Sequence, residues 1–469
     1  MRSAGNIPRV IVAATASGVG KTTAAVALIA ALRARGLKVA PFKCGPDYLD
    51  PSYHRRAAGV TSHNLDGWMM GREAVLATFS RASHDFDIAI IEGMMGLFDS
   101  ATPTGDEGST AEIAKWLAAP VLLVTDASGM ARSIAATATG YAHFDRAVKV
   151  AGVICNRVGS RGHLDLLRMA SLEVPVVGGF PADGELAFPE RHLGLRSASE
   201  DAVPQRLFDA WGKLAAAWLD LDEIISIARA APKPEIDGAR GSSRIARPSC
   251  RIGLAWDDAF HFYYEDNLRR LEACGAEIVK FSPSRDAKLP AVDGLYFGGG
   301  YPEVLARELS SNRSMLDAVR HFAESTRPIY AECGGLMYLA EGIRTLDGTT
   351  WPMVGLIPGV AVMAPRLQAL GYVEVETRAP SILGPTGTRF RGHQFRYSTL
   401  ENGDAEPPPR LYTVRPKWGA EFEEGYTRAN FVASYVHAHW ASNPSIAEAL
   451  VRACGIAGHE NRDKHQQKF

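Results

Sequence analysis

Val10-Ile11-Val12-Ala13-Ala14-Thr15-Ala16-Ser17-Gly18-Val19-Gly20-Lys21-Thr22-Thr23 is the stretch on which the fold turns. The apolar run Val10 to Ala14 is the length of a strand buried on both faces, and an amphipathic segment runs from Thr22 to Ala34. Between them Ser17, Gly18, Val19 and Gly20 form a turn whose backbone N–H groups converge with a helix N-terminus on a phosphate. Lys21 then reaches the outer phosphate oxygens, Thr22 offers its hydroxyl to magnesium, and Thr23 continues the helix start. The competing reading is a plain strand-to-helix turn with incidental glycines.

Outward from this loop the same rhythm repeats. Val39 to Phe42, Ile88 to Ile91, Val121 to Val124, Val150 to Ile154 and Val174 to Val177 read as buried strands separated by helix-period segments, which implies an α/β unit with a parallel sheet. From Ala231 the text turns to Pro, Gly, Ser, Ala and charges. A second alternation follows at Ile252 to Ala255, Glu277 to Phe281, Gly294 to Phe297 and Ile329 to Tyr330, and beyond Trp351 shorter segments suggest a mixed or antiparallel addition. The division expected is a nucleotide-binding domain over 1–230, a linker over 231–250, a second α/β domain over 251–460 and a polar tail over 461–469, with the stretch from His459 to Phe469 frayed.

With 469 residues the chain is too long for a single core. It is 46% hydrophobic and 22% charged, and its 51 Lys plus Arg against 52 Asp plus Glu leave a net charge of −1, so neither disorder nor a nucleic-acid partner is suggested. Cysteines 44, 155, 250, 274, 333 and 454 form no C-x-x-C pair, which argues against a disulfide framework and a structural zinc site. No apolar run is long enough to span a bilayer and no signal-peptide core precedes Val10, so a cytoplasmic enzyme is expected. The residues leave the oligomeric state open, a homodimer included.

A second chemical motif lies in Tyr330-Ala331-Glu332-Cys333-Gly334-Gly335-Leu336. One cysteine follows a short strand and precedes a glycine pair that opens a helix, an arrangement that exposes a sulfur, favours a thiolate and offers N–H groups, Gly334 first, to an oxyanion. Gly298-Gly299-Gly300-Tyr301-Pro302-Glu303, after another strand, is a further source of oxyanion donors. Ser434-Tyr435-Val436-His437-Ala438-His439 places two histidines on one face of a strand, with His437 the candidate base for Cys333 and His439 placed to orient it. A cysteine in a helix-initiating turn can also be inert.

Two acidic clusters complete a phosphoryl-transfer site. Gly45-Pro46-Asp47-Tyr48-Leu49-Asp50-Pro51 and Glu92-Gly93-Met94-Met95-Gly96-Leu97-Phe98-Asp99 each follow a buried strand, so both belong at the carboxyl edge of the sheet beside the phosphates. Carboxylates there hold magnesium or position a nucleophile; the alternative makes Asp47 a turn former and Glu92 a solvated strand end. Asn156 either reads the nucleotide base or forms a turn.

Taken in order, TASGVGKTT, FKCGPDYLDPSYH, IIEGMMGLFD, FGGGYPE, YAECGGLMYL, RGHQFRYS and SYVHAHWASNP resemble the cobyrinic acid a,c-diamide synthase family of glutamine-dependent ATP amidoligases over nearly the whole chain. Thr15 in place of the usual first loop glycine is similar to the variant loop of dethiobiotin-synthetase-like ATPases. The resemblance implies a ligase domain of that type followed by a class I glutamine amidotransferase domain, with magnesium as cofactor, ATP and glutamine as co-substrates and a tetrapyrrole carboxylate as acceptor. It implies that Cys333 takes the glutamine amide as a thioester with His437 as acid and base, and that His439 stands where many class I enzymes carry a glutamate. Lys21, Thr22, Asp47 and Glu92 would serve ATP and magnesium, with Tyr48, Leu49, Asp50 and Asp99 toward the substrate carboxylate. Gln394 and Arg396 stand where the family leads one to expect glutamate and histidine, so this surface would be more positive if it faced the tetrapyrrole. Relatives of the family amidate cobyrinic acid, hydrogenobyrinic acid, nickel-sirohydrochlorin or sirohaem; a ParA-like nucleotide switch without amidotransferase activity is the reading from another class.

Overall fold

A computed structural model describes residues 7–170, 173–182, 190–191, 194–195, 203–234, 248–402, 409–428 and 430–466. The chain divides into two compact units, Met1–Gly241 and Ser242–Phe469.

In the first unit the described residues form a parallel seven-stranded sheet in the order His63–Leu65, Val39–Cys44, Ile88–Glu92, Arg9–Ala14, Val121–Asp126, Val150–Val158, Val176–Pro181. Its central strands are largely apolar because helices cover both faces. The helix Lys21–Ala34 buries Ala24 to Ile29, Ala31 and Leu32 between the sheet and the helix Gln205–Trp218, which contributes Phe208, Trp211 and Ala215. Register places Lys43 beside Glu92, and Val12 on the other flank of Glu92, so these side chains meet at the carboxyl edge. Arg9 is fully buried and donates to the carbonyls of Ile7, Leu117 and Pro232, tying the first strand to the segment that leaves this unit.

The second unit carries a ten-stranded sheet among its described residues. Its parallel part runs Ala276–Phe281, Cys250–Ala255, Gly294–Phe297, Ile329–Glu332, Phe431–Ser434, and an antiparallel part continues with Phe422–Arg428, Arg410–Pro416, Ala369–Thr377, Arg389–Arg396, His437–His439. Only two residues separate the end of the fifth strand from the start of the tenth, so the antiparallel part curls round and returns to the parallel part. A smaller sheet of Thr350–Pro352, Ala340–Arg344, Ile357–Met363 and Ser398–Glu401 lies alongside in the order of pairing.

Most of the expected linker, residues 235–247, lies outside the described residues, and the strand Cys250–Ala255 starts at the linker's last position. The last helix, Ser445–Gln466, runs on into the expected tail. Residues 467–469 are outside the described set. No described helix is long and apolar enough to cross a membrane.

Candidate functional site

Glu92 organises the first site. Fully buried at the end of its strand, it accepts from Thr22 Oγ1 at 2.8 Å and Lys43 Nζ at 2.9 Å through Oε1, and meets His54 Nε2 at 2.6 Å through Oε2. Lys21 Nζ lies 4.0 Å from the same Oε1. Burial alone would favour the neutral acid, but the charge of Lys43, the bond to His54 and the charge of Lys21 hold the carboxyl well below its usual range, so Glu92 is ionised. Lys43 also pairs with Asp50 Oδ2 at 2.6 Å and donates to Gly93 O at 2.9 Å. Burial opposes its charge, yet Asp50, Glu92 and Asp47 together raise it, and the ammonium stays protonated. Asp50 is pushed upward by burial, then by Asp47 and Glu92, because one ammonium serves several carboxyl groups.

The neighbouring turn is built from Asp47, whose Oδ1 accepts the N–H groups of Leu49 at 2.8 Å and Asp50 at 3.0 Å and so starts the helix Leu49–Ala58. Tyr48 and Leu49 are half-buried at that helix start. Asn64 ties the turn down through Gly45 O and Asp47 O. Gly18 and Gly20 have positive φ, 78° and 95°, the conformation that makes glycine necessary in the phosphate loop. Asn156 donates to Val19 O at 2.8 Å, and a Cβ on Gly20 would meet that amide at 2.1 Å, so Asn156 braces the loop. Asp99 accepts the Gly96 N–H at 2.8 Å and fixes that loop, where a Cβ on Gly96 would fall 3.2 Å from Thr15 O.

In the second unit Cys333 joins the strand Ile329–Glu332 to the helix Gly334–Leu339 with φ 48° and ψ −101°, a strained conformation held by its N–H to Ser434 O at 2.7 Å. Neither following glycine has room for a side chain. A Cβ on Gly334 would fall 3.1 Å from Gly300 N, and one on Gly335 2.4 Å from Phe297 O. The glycine turn also receives the histidine, since a Cβ on Gly299 would lie 2.4 Å from His437 Cε1. Thus Gly299 and Gly300 touch His437 on one side and the residue after Cys333 on the other.

The expected resting thiolate is not what this environment favours. Burial, reinforced by Glu303, pushes the Cys333 thiol up to about 12, and the Gly334 N–H and Arg396 only partly offset it; the helix that follows has six residues. Burial likewise lowers His437 to about 3, so its imidazole is neutral. His439, lowered to about 4 by burial, accepts the Ala441 N–H at 3.3 Å and packs against Tyr264. The ring stacked on His437 is that of His393, at 4.9 Å and 16°, which Tyr264 OH meets at 3.0 Å. Gln394 is buried, and Arg396 lies over the Tyr435 ring at 4.7 Å. The segment that carries both lines the thiol: Phe395 O is 3.9 Å from Cys333 Sγ.

Sequence reasoning passed over Lys43, His54, His393 and Glu332. The signal for Lys43 was a lysine inside the otherwise uncharged strand Val39–Cys44, fully buried on both faces.

Residues 10–195 match the CobQ/CobB/MinD/ParA nucleotide binding domain and residues 251–445 the CobB/CobQ-like glutamine amidotransferase domain. A cobyrinate a,c-diamide synthase of Leptospira interrogans serogroup Icterohaemorrhagiae is 54% identical over 449 residues, 96% of this chain and 98% of its own. The chain belongs to the cobyrinate a,c-diamide synthase family. Members so named from Syntrophotalea carbinolica and Priestia megaterium are 46% and 42% identical, covering 95% and 97% of this chain and 98% and 99% of their own. As a member of this family the chain is a glutamine-dependent amidotransferase ligase with a nucleotide-binding half and a glutaminase half.

Proposed function

We propose that this enzyme amidates the a and c carboxylates of cobyrinic acid, or of hydrogenobyrinic acid, through acyl phosphate intermediates, with ammonia released from glutamine at Cys333. The observation that carries the substrate is the 54% identity, over nearly the full length, to a protein named for that acceptor.

A carboxylate resists ammonia until one oxygen becomes a good leaving group. The acceptor oxygen attacks the terminal phosphorus of ATP, ADP leaves, and ammonia then displaces phosphate from the acyl carbon. Ser17 to Thr23 cradle the phosphates, Asn156 keeps the loop in shape, and Lys21 offsets negative charge. Tyr48, Leu49, Asp50 and Asp99 would serve the acceptor carboxylate. Thr22, Asp47 and Glu92 present hard oxygen donors of the kind magnesium prefers. When bound there, magnesium would offset charge on the phosphates.

In the second unit His437 takes the Cys333 proton as sulfur attacks the glutamine amide carbon. The oxyanion faces the N–H groups around Gly299, Gly300 and Gly334; ammonia leaves with a proton from His437, and water hydrolyses the thioester.

The test is incubation with ATP, magnesium and glutamine against cobyrinic acid, hydrogenobyrinic acid, nickel-sirohydrochlorin and sirohaem separately, with product masses read for acid-to-amide conversion. Two conversions on a corrinoid are expected. Conversion of sirohaem alone, or none with ATP still hydrolysed, would overturn the acceptor assignment.

A further inference from the structure

The tenth strand of the second unit, His437–His439, is bonded along its length only to Arg389–Arg396 among the described strands. Its other side faces the strand Ile329–Glu332, whose own ladder is already occupied by Gly294–Phe297 and Phe431–Ser434. A side chain of that strand holds the returning strand: the Ala438 N–H donates to Glu332 Oε1 at 3.1 Å. The Ala438 carbonyl, on the same peptide strand, accepts from Asn267 Nδ2 at 2.8 Å.

Glu332 is the residue immediately before Cys333, is 1% exposed, and accepts two further bonds, from Tyr330 OH at 2.7 Å and Tyr296 OH at 3.0 Å. Three donors converge on two oxygens, which is the demand a carboxylate meets and a carboxylic acid or amide meets poorly. A carboxyl buried in this way for packing alone would be replaced by an apolar group without loss, since burying it is unfavourable unless its bonds are needed.

We propose that Glu332 is a positioning residue of the glutaminase: its ionised carboxylate takes the Ala438 N–H and so fixes His437 and His439, on either side of Ala438, against the strand that delivers Cys333. The inference rests on the reading of Cys333 and His437 as the glutaminase pair. One side chain, adjacent to the nucleophile in the chain, thereby sets where the base stands.

The charge state of this carboxyl lies within a working pH range. Burial pushes it up to about 7, while Tyr330, the Ala438 N–H and Tyr296 pull it back. Tyr263, Tyr296, Tyr330, Tyr412 and Cys333 are the titratable groups that feel its charge. Protonation on the acid side replaces an acceptor oxygen by a hydroxyl and weakens the hold on Ala438, so glutamine turnover falls as pH drops through about 7.

The experiment compares Glu332→Gln and Tyr296→Phe with the unaltered full-length chain, driving amidation with glutamine in one arm and ammonium chloride in the other. For Glu332→Gln the glutamine-driven kcat falls about 10- to 100-fold, as expected for a base displaced by a fraction of an ångström to one ångström, with KM for glutamine within about twofold and the ammonium arm unchanged. An unchanged kcat, or a raised KM at constant kcat, overturns the proposal. For Tyr296→Phe, loss of a donor raises the carboxyl further and the acid limb of the glutamine profile moves to higher pH; a limb that stays in place overturns it. Cys333→Ala is run alongside, and glutamine-driven turnover surviving there would sink the glutaminase reading itself and not the Glu332 inference alone.

Discussion

His54 Nε2 lies 2.6 Å from Glu92 Oε2 with both side chains fully buried, so the carboxylate at the end of Ile88–Glu92 is gripped from behind while its other oxygen faces Thr22 and Lys43. Ser62 Oγ, 3.3 Å from His54 Nδ1, fixes the far side of the ring. An ionised carboxylate aimed in this way is pre-set for a phosphate site.

Replacing His54 by alanine frees one Glu92 oxygen and leaves the Thr22 contact unsupported. Loss of a partner behind a functional carboxylate typically lowers activity about 10- to 100-fold. That drop is expected in ammonium-driven amidation; a His54→Ala rate within twofold of the unaltered enzyme would show that Glu92 needs no such support.

Lys43→Met removes the ammonium that Glu92 and Asp50 share. Breaking a buried ion pair from one side costs about 3–5 kcal/mol. In the intact chain Glu92 is depressed, so its contribution is present above the ordinary glutamate value and is lost as pH falls through the folded one. In the variant the sign reverses: both carboxyl groups rise, folding favours their protonated forms, and the deficit seen in urea unfolding at pH 7 shrinks toward pH 5. A deficit that grows with acidity would contradict the arrangement.

Cys333 alkylation by iodoacetamide in the absence of glutamine reports the thiol directly. With the thiol pushed up to about 12, the thiolate fraction and hence the rate rise about tenfold per pH unit from 7 to 10 without levelling off. A plateau near pH 7 would mean that a thiolate is already present.

Gly299→Ala places a methyl where His437 Cε1 now lies, at 2.4 Å. The imidazole must move, and glutamine-driven turnover is expected to fall about 100-fold while the ammonium-driven rate holds. Equal loss in both arms would indicate damage beyond the histidine.

The parallel strands were legible because burial on both faces writes them as continuous apolar runs, as in Val121-Leu122-Leu123-Val124. The three-residue edge strand His63–Leu65 left no such run. The phosphate loop and the cysteine turn announce themselves through local sequence, since each is a strand, a glycine pair and a helix in succession. Lys43 and His393 do not. Their importance comes from register, Lys43 opposite Glu92 and His393 opposite His437, and pairing between strands far apart in sequence is not written near either residue. The protonation of the resting Cys333 thiol is not written locally either, since burial by distant segments pushes it up against the helix N-terminus.

The link of two residues between Ser434 and His437 bears on synthesis of the chain as well as on its geometry. A ribosome that has released the chain only through Phe422–Arg428 has already delivered Cys333, Glu332 and the glycine turn, but not His437. On the proposal that His437 is the base, hydrolysis of glutamine waits until this strand emerges, after the whole of Met1–Gly241 has been made.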